Sequence, residues 1–136
     1  MLKQTITYTD YNDTVRTEDF YFNLSKSDIV ALETSIDGGL YKSLENIVRS
    51  NDGNAIIREF RKIVHSAYGK KSDDGKRFMK SEEISKEFEE TPAYDQFFME
   101  LVTDVDKALT FVKAILPKDM AAEIEAKEKA GELQIK

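Results

Sequence analysis

The chain has no cysteine, no tryptophan, a single histidine and only two prolines in 136 residues. Without cysteine there is no thiol nucleophile, iron–sulfur cluster, thiolate zinc site or disulfide framework. A lone histidine, His65, rules out imidazole-rich metal centres and leaves any Ser-His-Asp scheme one candidate base. No apolar run approaches the roughly 20 residues that span a bilayer. Residues 1–7 carry neither a signal-peptide apolar stretch nor a glycine at position 2, so the chain reads as soluble and intracellular. An excess of positive charge is missing as well. Twenty basic residues face 26 acidic ones, and the net charge of -6 argues against a protein built to grip phosphate backbones.

What is present fills one domain. Leu2, Ile6 and Tyr8 alternate with Lys3, Thr5, Thr7 and Thr9, and beyond the turn residues Asp10 and Asn12 the faces Phe20/Phe22/Leu24 and Thr17/Asp19/Tyr21 alternate again. This period of two predicts a β-hairpin over residues 2–24. Ser25 with Asp28 has capping-box spacing for a short helix ending before Gly38 and Gly39, and a second helix is expected over residues 40–49. After the break at residues 50–53, Ile56, Ile57, Phe60, Ile63, Val64 and Ala67 mark a third helix, and residues 70–80 read as a charged loop. Ser81 caps a short helix carrying Ile84 and Phe88.

Thr91 and Pro92 then open what reads as one long helix to Leu116. Its stripe of Tyr94, Phe98, Leu101, Val105, Ala108, Val112 and Ile115 is widened by Phe97, Val102, Leu109, Phe111 and Leu116. A stripe of this width suits an intramolecular core, although a second copy of the chain or a partner helix could also pack on it. The expected fold class is therefore α+β: an N-terminal hairpin packed on a mainly helical domain with one long C-terminal core helix. That domain covers residues 1–117, followed by a weakly helical or flexible tail at 118–136.

No constellation carries chemistry. The segment from Gly69 to Arg77 fails as a phosphate loop: its glycines are spaced one residue too far, arginine stands where a hydroxyl must bind magnesium, and Asp73 and Asp74 repel phosphate. Its lysines with Tyr68 and Phe78 have the composition of a single-strand nucleic-acid contact, but on an acidic domain a solvated turn or a contact for acidic protein surface explains them better. His65 falls with Arg58, Arg61 and Lys62 on a helix face expected to be solvated, with no nucleophile supplied. Asp10, Asp13, Asp37, Asp52, Asp73 and Asp74 fall in turn-like segments and do not form an EF-hand pattern. Catalytic, cofactor and metal residues are accordingly not assigned.

The strings Thr5-Ile6-Thr7-Tyr8-Thr9-Asp10-Tyr11-Asn12, Arg16-Thr17-Glu18-Asp19-Phe20-Tyr21-Phe22-Asn23-Leu24, Ala67-Tyr68-Gly69, Asp74-Gly75-Lys76-Arg77-Phe78, and Thr91 with Ala93-Tyr94 and Phe98-Met99-Glu100-Leu101 are distributed along most of the chain. Together they resemble the small tail assembly chaperone family of long-tailed bacteriophages and prophages of Gram-positive bacteria. The resemblance implies a non-enzymatic protein of the host cytoplasm. Such a protein holds the aggregation-prone tape measure protein in soluble form and assists tail tube subunits to assemble around it. It implies no cofactor, no membrane and no nucleic acid. The expected partner contacts are Lys70, Lys71, Lys76, Arg77 and Phe78 in the charged loop, with Phe97 and Phe111 as an exposed edge of the long helix. Alternatives are a minor virion structural protein, or a phage-encoded binder or inhibitor of a host protein.

Overall fold

A computed structural model describes residues 1–35 and 53–129. The helix expected over residues 40–49, its flanking glycines and the break before Gly53 lie outside the described residues, as does the Ile56 side chain. The hairpin is present, with β1 at Leu2–Thr9 and β2 at Val15–Phe22 running antiparallel from Leu2↔Phe22 to Thr9↔Val15. The Asp10 carboxylate organises the turn by accepting from the N–H groups of Asn12 (2.8 Å) and Thr14 (3.0 Å), and Asp13 takes a positive φ of 60°. The Asp10 N–H donates to the Thr14 carbonyl at 2.9 Å. Even-numbered residues of the two strands therefore bond each other, and odd-numbered residues aim their backbone groups away from the pair.

Helix α1, Lys26–Ser35, starts in the expected capping box: the Ser25 N–H donates to Asp28 at 2.9 Å, and the Asp28 N–H donates to the Ser25 hydroxyl at 3.2 Å. Helix α2, Gly53–Ala67, buries Phe60, Ile63, Val64 and Ala67, while Ile57 faces solvent. The loop expected at residues 70–80 is corrected. Strand β3, Tyr68–Lys71, follows α2 directly and pairs with β2, and β4, Phe78–Met79, pairs with β3. The result is one antiparallel sheet ordered β1-β2-β3-β4. Helix α3, Glu82–Glu89, begins at Ser81, whose side chain accepts from the Ile84 N–H as its cap.

The single long helix is also corrected. It is two helices, α4 at Pro92–Val102 and α5 at Val105–Ile115, followed by α6 at Lys118–Lys129. Thr103 ends α4, with its hydroxyl donating to the Met99 carbonyl at 2.7 Å. Asp104 begins α5 by accepting from the N–H groups of Asp106 (3.1 Å) and Lys107 (3.3 Å). A short carboxylate that can satisfy orphan N–H groups competes with helix continuation, and here the cap wins. The apolar stripe runs through the break: Leu101 is buried and Val105 packs half-buried against the core.

The helices cover one face of the sheet. Phe22 is fully buried, with ring centroids 5.1 Å from Phe97, 5.3 Å from Phe111, 5.6 Å from Tyr68 and 5.8 Å from Phe88. Burying a ring of this size contributes about 1.5–3 kcal/mol, and well-oriented ring pairs add to that. Backbone bonds seal the seams: Leu24 N–H to the Ile115 carbonyl and Asn23 N–H to the Ala67 carbonyl, each 2.8 Å. Met120 of α6 packs against this core, and Lys26 reaches Asp119 at 3.3 Å.

Candidate functional site

The expected partner residues divide between an exposed hairpin and the core. Ser72 and Arg77 close the β3–β4 hairpin through a 2.9 Å bond from the Ser72 N–H to the Arg77 carbonyl. Within it the Gly75 N–H donates to the Ser72 carbonyl at 2.9 Å, and Gly75 adopts φ 75°, a conformation glycine takes without strain. Asp74 accepts from the Ser72 hydroxyl at 2.7 Å and from the Lys76 N–H at 3.0 Å. These bonds, the Ser72 hydroxyl foremost, hold its carboxyl below the ordinary carboxylate value. The turn is thus built from its own polar groups, and it projects Lys76 and Arg77 into solvent.

The remaining hairpin residues are committed to neighbours. Lys70 reaches Glu87 of α3 at 3.4 Å, and the Lys71 ammonium lies 5.0 Å above the Tyr21 ring. Phe78 is half-buried over Gly69, where a Cβ would come within 2.7 Å of the ring and 2.9 Å of the Met79 carbonyl oxygen. Glycine at that position allows the ring to close over the sheet. Phe97 and Phe111 do not form an exposed edge: both are buried, 5.4 Å apart, on the floor beneath Phe22. The stripe's flank, like its centre, faces inward.

A feature not foreseen from the sequence lies between β2 and β3. Their pairing consists of Phe22↔Tyr68 and Tyr21↔Gly69. The same register would next oppose Phe20 to Lys70 and then Asp19 to Lys71, but the strands diverge there and a cleft of about 460 Å³ opens. Its walls are Glu18 and Asp19 on one side and Lys70 and Lys71 on the other. Its floor is aromatic, with Phe88 stacked on Tyr68 at 4.2 Å and 5.1 Å from Phe20. On the β2 wall, Asp19 accepts from the Thr5 hydroxyl at 2.6 Å, and Glu18 accepts from the Tyr8 phenol. That bond, helped by burial, pushes the Tyr8 pKa up to about 12. The one sequence signal for the cleft is a mismatch of length, eight residues of alternation in β2 against four in β3.

His65 is not on a solvated face. Its ring is half-buried and edge-on to Tyr94 at 5.7 Å, and its Nε2 lies 3.6 Å from a Glu89 carboxylate oxygen without a hydrogen bond. Arg61 occupies the other oxygen of Glu89. Burial lowers the His65 pKa, and Arg61 adds to that while Glu89 opposes it. The nearby Ser85 hydroxyl donates to the His65 backbone carbonyl at 3.1 Å. Among the described residues no group of three or more acidic or histidine side chains could hold a metal ion, and no helix is long and apolar enough to cross a membrane.

The architecture is that of a small α+β domain whose distinctive surface is a charged hairpin tip beside an opened sheet. Residues 1–135 match the family described as phage tail assembly chaperone, and the chain belongs to that family. Neither the curated proteins nor the solved structures gave a match.

Proposed function

We propose that this chaperone acts by binding alone, keeping the tape measure protein soluble and assisting tail tube subunits to assemble around it in the host cytoplasm. The observation that carries the reading is the family match over 135 residues. The surface supports it. Net charge of -6 keeps a complex with an aggregation-prone client dispersed, while Lys76 and Arg77 on a self-bonded turn offer a local contact of opposite sign. Residues 1–117 would carry this contact, and residues 118–136 would add a secondary one.

Co-expression with the tape measure protein of the same phage tests the reading. The client is expected to move into the soluble fraction and to co-purify with the chaperone. A client that stays insoluble beside folded chaperone overturns it, as does recovery of the chain as a component of purified virions.

A further inference from the structure

We propose that the cleft between β2 and β3 receives an extended segment of the client, which adds as a strand to the open edge of β2. This rests on the chaperone reading above.

The backbone carries the argument. Odd-numbered residues of β2 face away from β1, as the Asp10–Thr14 bond requires. The Tyr21↔Gly69 pair and the 2.8 Å bond from Asn23 N–H to the Ala67 carbonyl show that this side is the β3 side. The N–H and carbonyl groups of Asp19 therefore aim into the cleft that β3 has left, and those of Val15 and Thr17 continue the same edge of β2 beyond it. An unpaired row of this kind is a template for another strand, and folded proteins ordinarily cover it. On the opposite edge of the same hairpin, Gln96 of α4 donates to the Thr7 carbonyl at 3.1 Å. The β2 edge stands beside an aromatic floor.

The side chains specify the occupant. A residue paired with Phe20 would rest on the Phe20, Tyr68 and Phe88 rings and must be apolar, while residues paired with Glu18 and Asp19 meet carboxylates and are best basic. The lysines of the far wall are already engaged, Lys70 with Glu87 and Lys71 with Tyr21. The fitting partner is a single extended segment with one apolar residue next to two basic ones, held through its main chain, which is the strand-addition mode of recognition. A second copy fits less well, because it would bring its own β3–β4 hairpin into a space of about 460 Å³.

The test uses the full chain and the co-expressed tape measure protein, with residue-resolved amide exchange in the free and bound states. On binding, the N–H groups of Thr17 and Asp19 are expected to slow by about tenfold or more, while those of Arg16 and Glu18, bonded to β1 in both states, change little. Thr17→Pro removes one open donor, and because that N–H faces the open edge the β1 ladder survives; client retention should fall about tenfold. Asp19→Lys should weaken it as well, by setting like charge against a basic segment. Unchanged exchange at Thr17 and Asp19 in a chaperone that does hold its client overturns the cleft proposal and leaves the chaperone reading standing. Protection that grows with chaperone concentration in the absence of client also overturns it, in favour of self-pairing. Failure of the unaltered chain to hold the client overturns both.

Discussion

The Lys80 ammonium lies 3.0 Å from the Asp28 carboxylate and also donates to the carbonyls of Asn23 and Ser66, each at 2.7 Å. Four elements meet at this one cation: the exit of β4, the end of β2, the first turn of α1 and the end of α2. Burial works against the Asp28 carboxylate, but the Ser25 N–H and Lys80 outweigh it and hold its pKa below the ordinary value. Lys80→Met leaves two carbonyls and a carboxylate without their shared donor and should cost about 2–3 kcal/mol in urea unfolding. Lys80→Arg should not restore the loss, because a planar fork cannot reach three convergent acceptors as a compact ammonium does. A folded-state pKa held low adds stability above the ordinary carboxylate range and loses it on acidification. Lys80→Met should therefore also flatten the decline below about pH 4. An unfolding midpoint equal to the parent's would show that the clamp contributes nothing.

His65 gives a second pH dependence in a different window. Burial keeps its folded-state pKa below the ordinary value, so as pH falls through about 6.5 the unfolded chain takes up a proton that the folded chain refuses. Stability on this account is complete above pH 6.5 and is lost as the pH falls toward the folded pKa. The parent's stability should thus drop more steeply than that of His65→Gln between pH 7 and pH 5. Parallel curves for the two proteins would mean that the imidazole is as solvated folded as unfolded.

The hairpin was legible because a period of two over eight residues has one structural meaning, and the Ser25, Ser81 and Thr91 caps were legible because each places a hydroxyl before an apolar run. The break after Val102 was hidden by the apolar stripe, which continues through it. Asp104 was the visible clue, a good capping residue inside an otherwise helical pattern. A stripe as wide as that of residues 94–116 also does not say which flank is covered: by spacing alone Phe97 and Phe111 fall at its edge, whereas the sheet lies over them. Strand β3 could not be read from Tyr68-Gly69-Lys70-Lys71, whose extended form is imposed by pairing with β2 more than forty residues earlier. The environment of His65 was half legible. Arg61 follows from helix spacing, whereas Glu89 arrives from α3 by tertiary packing.

Asp104 supplies a third prediction. Its side chain satisfies the N–H groups of Asp106 and Lys107, so Asp104→Ala should lower stability by about 1 kcal/mol, measured as a shift of the urea midpoint. Asp104→Asn, which keeps an acceptor at the cap, should recover most of it. If alanine leaves the midpoint unchanged or raises it, the division between α4 and α5 is set by packing on the sheet and not by the cap.

The hairpin tip gives the last prediction, and its salt dependence separates it from the cleft beside it. Lys76 and Arg77 stand in solvent on a turn whose polar groups bond one another, so reversing both charges should leave the fold intact. Exposed ion pairs contribute about 0.2–1 kcal/mol each, so the double variant Lys76→Glu/Arg77→Glu should weaken retention of the tape measure protein about threefold to tenfold at low ionic strength. The difference should shrink in 0.5 M salt, where screening acts over only a few ångströms. Lys62→Glu serves as the comparison, because Lys62 is exposed on α2 and belongs neither to the hairpin tip nor to the lining of the cleft. Loss through Thr17→Pro, in contrast, concerns main-chain hydrogen bonds and should persist in salt. Equal retention by the double variant and the parent at both ionic strengths would remove the hairpin tip from the partner surface and leave the open edge of β2 as the place to look.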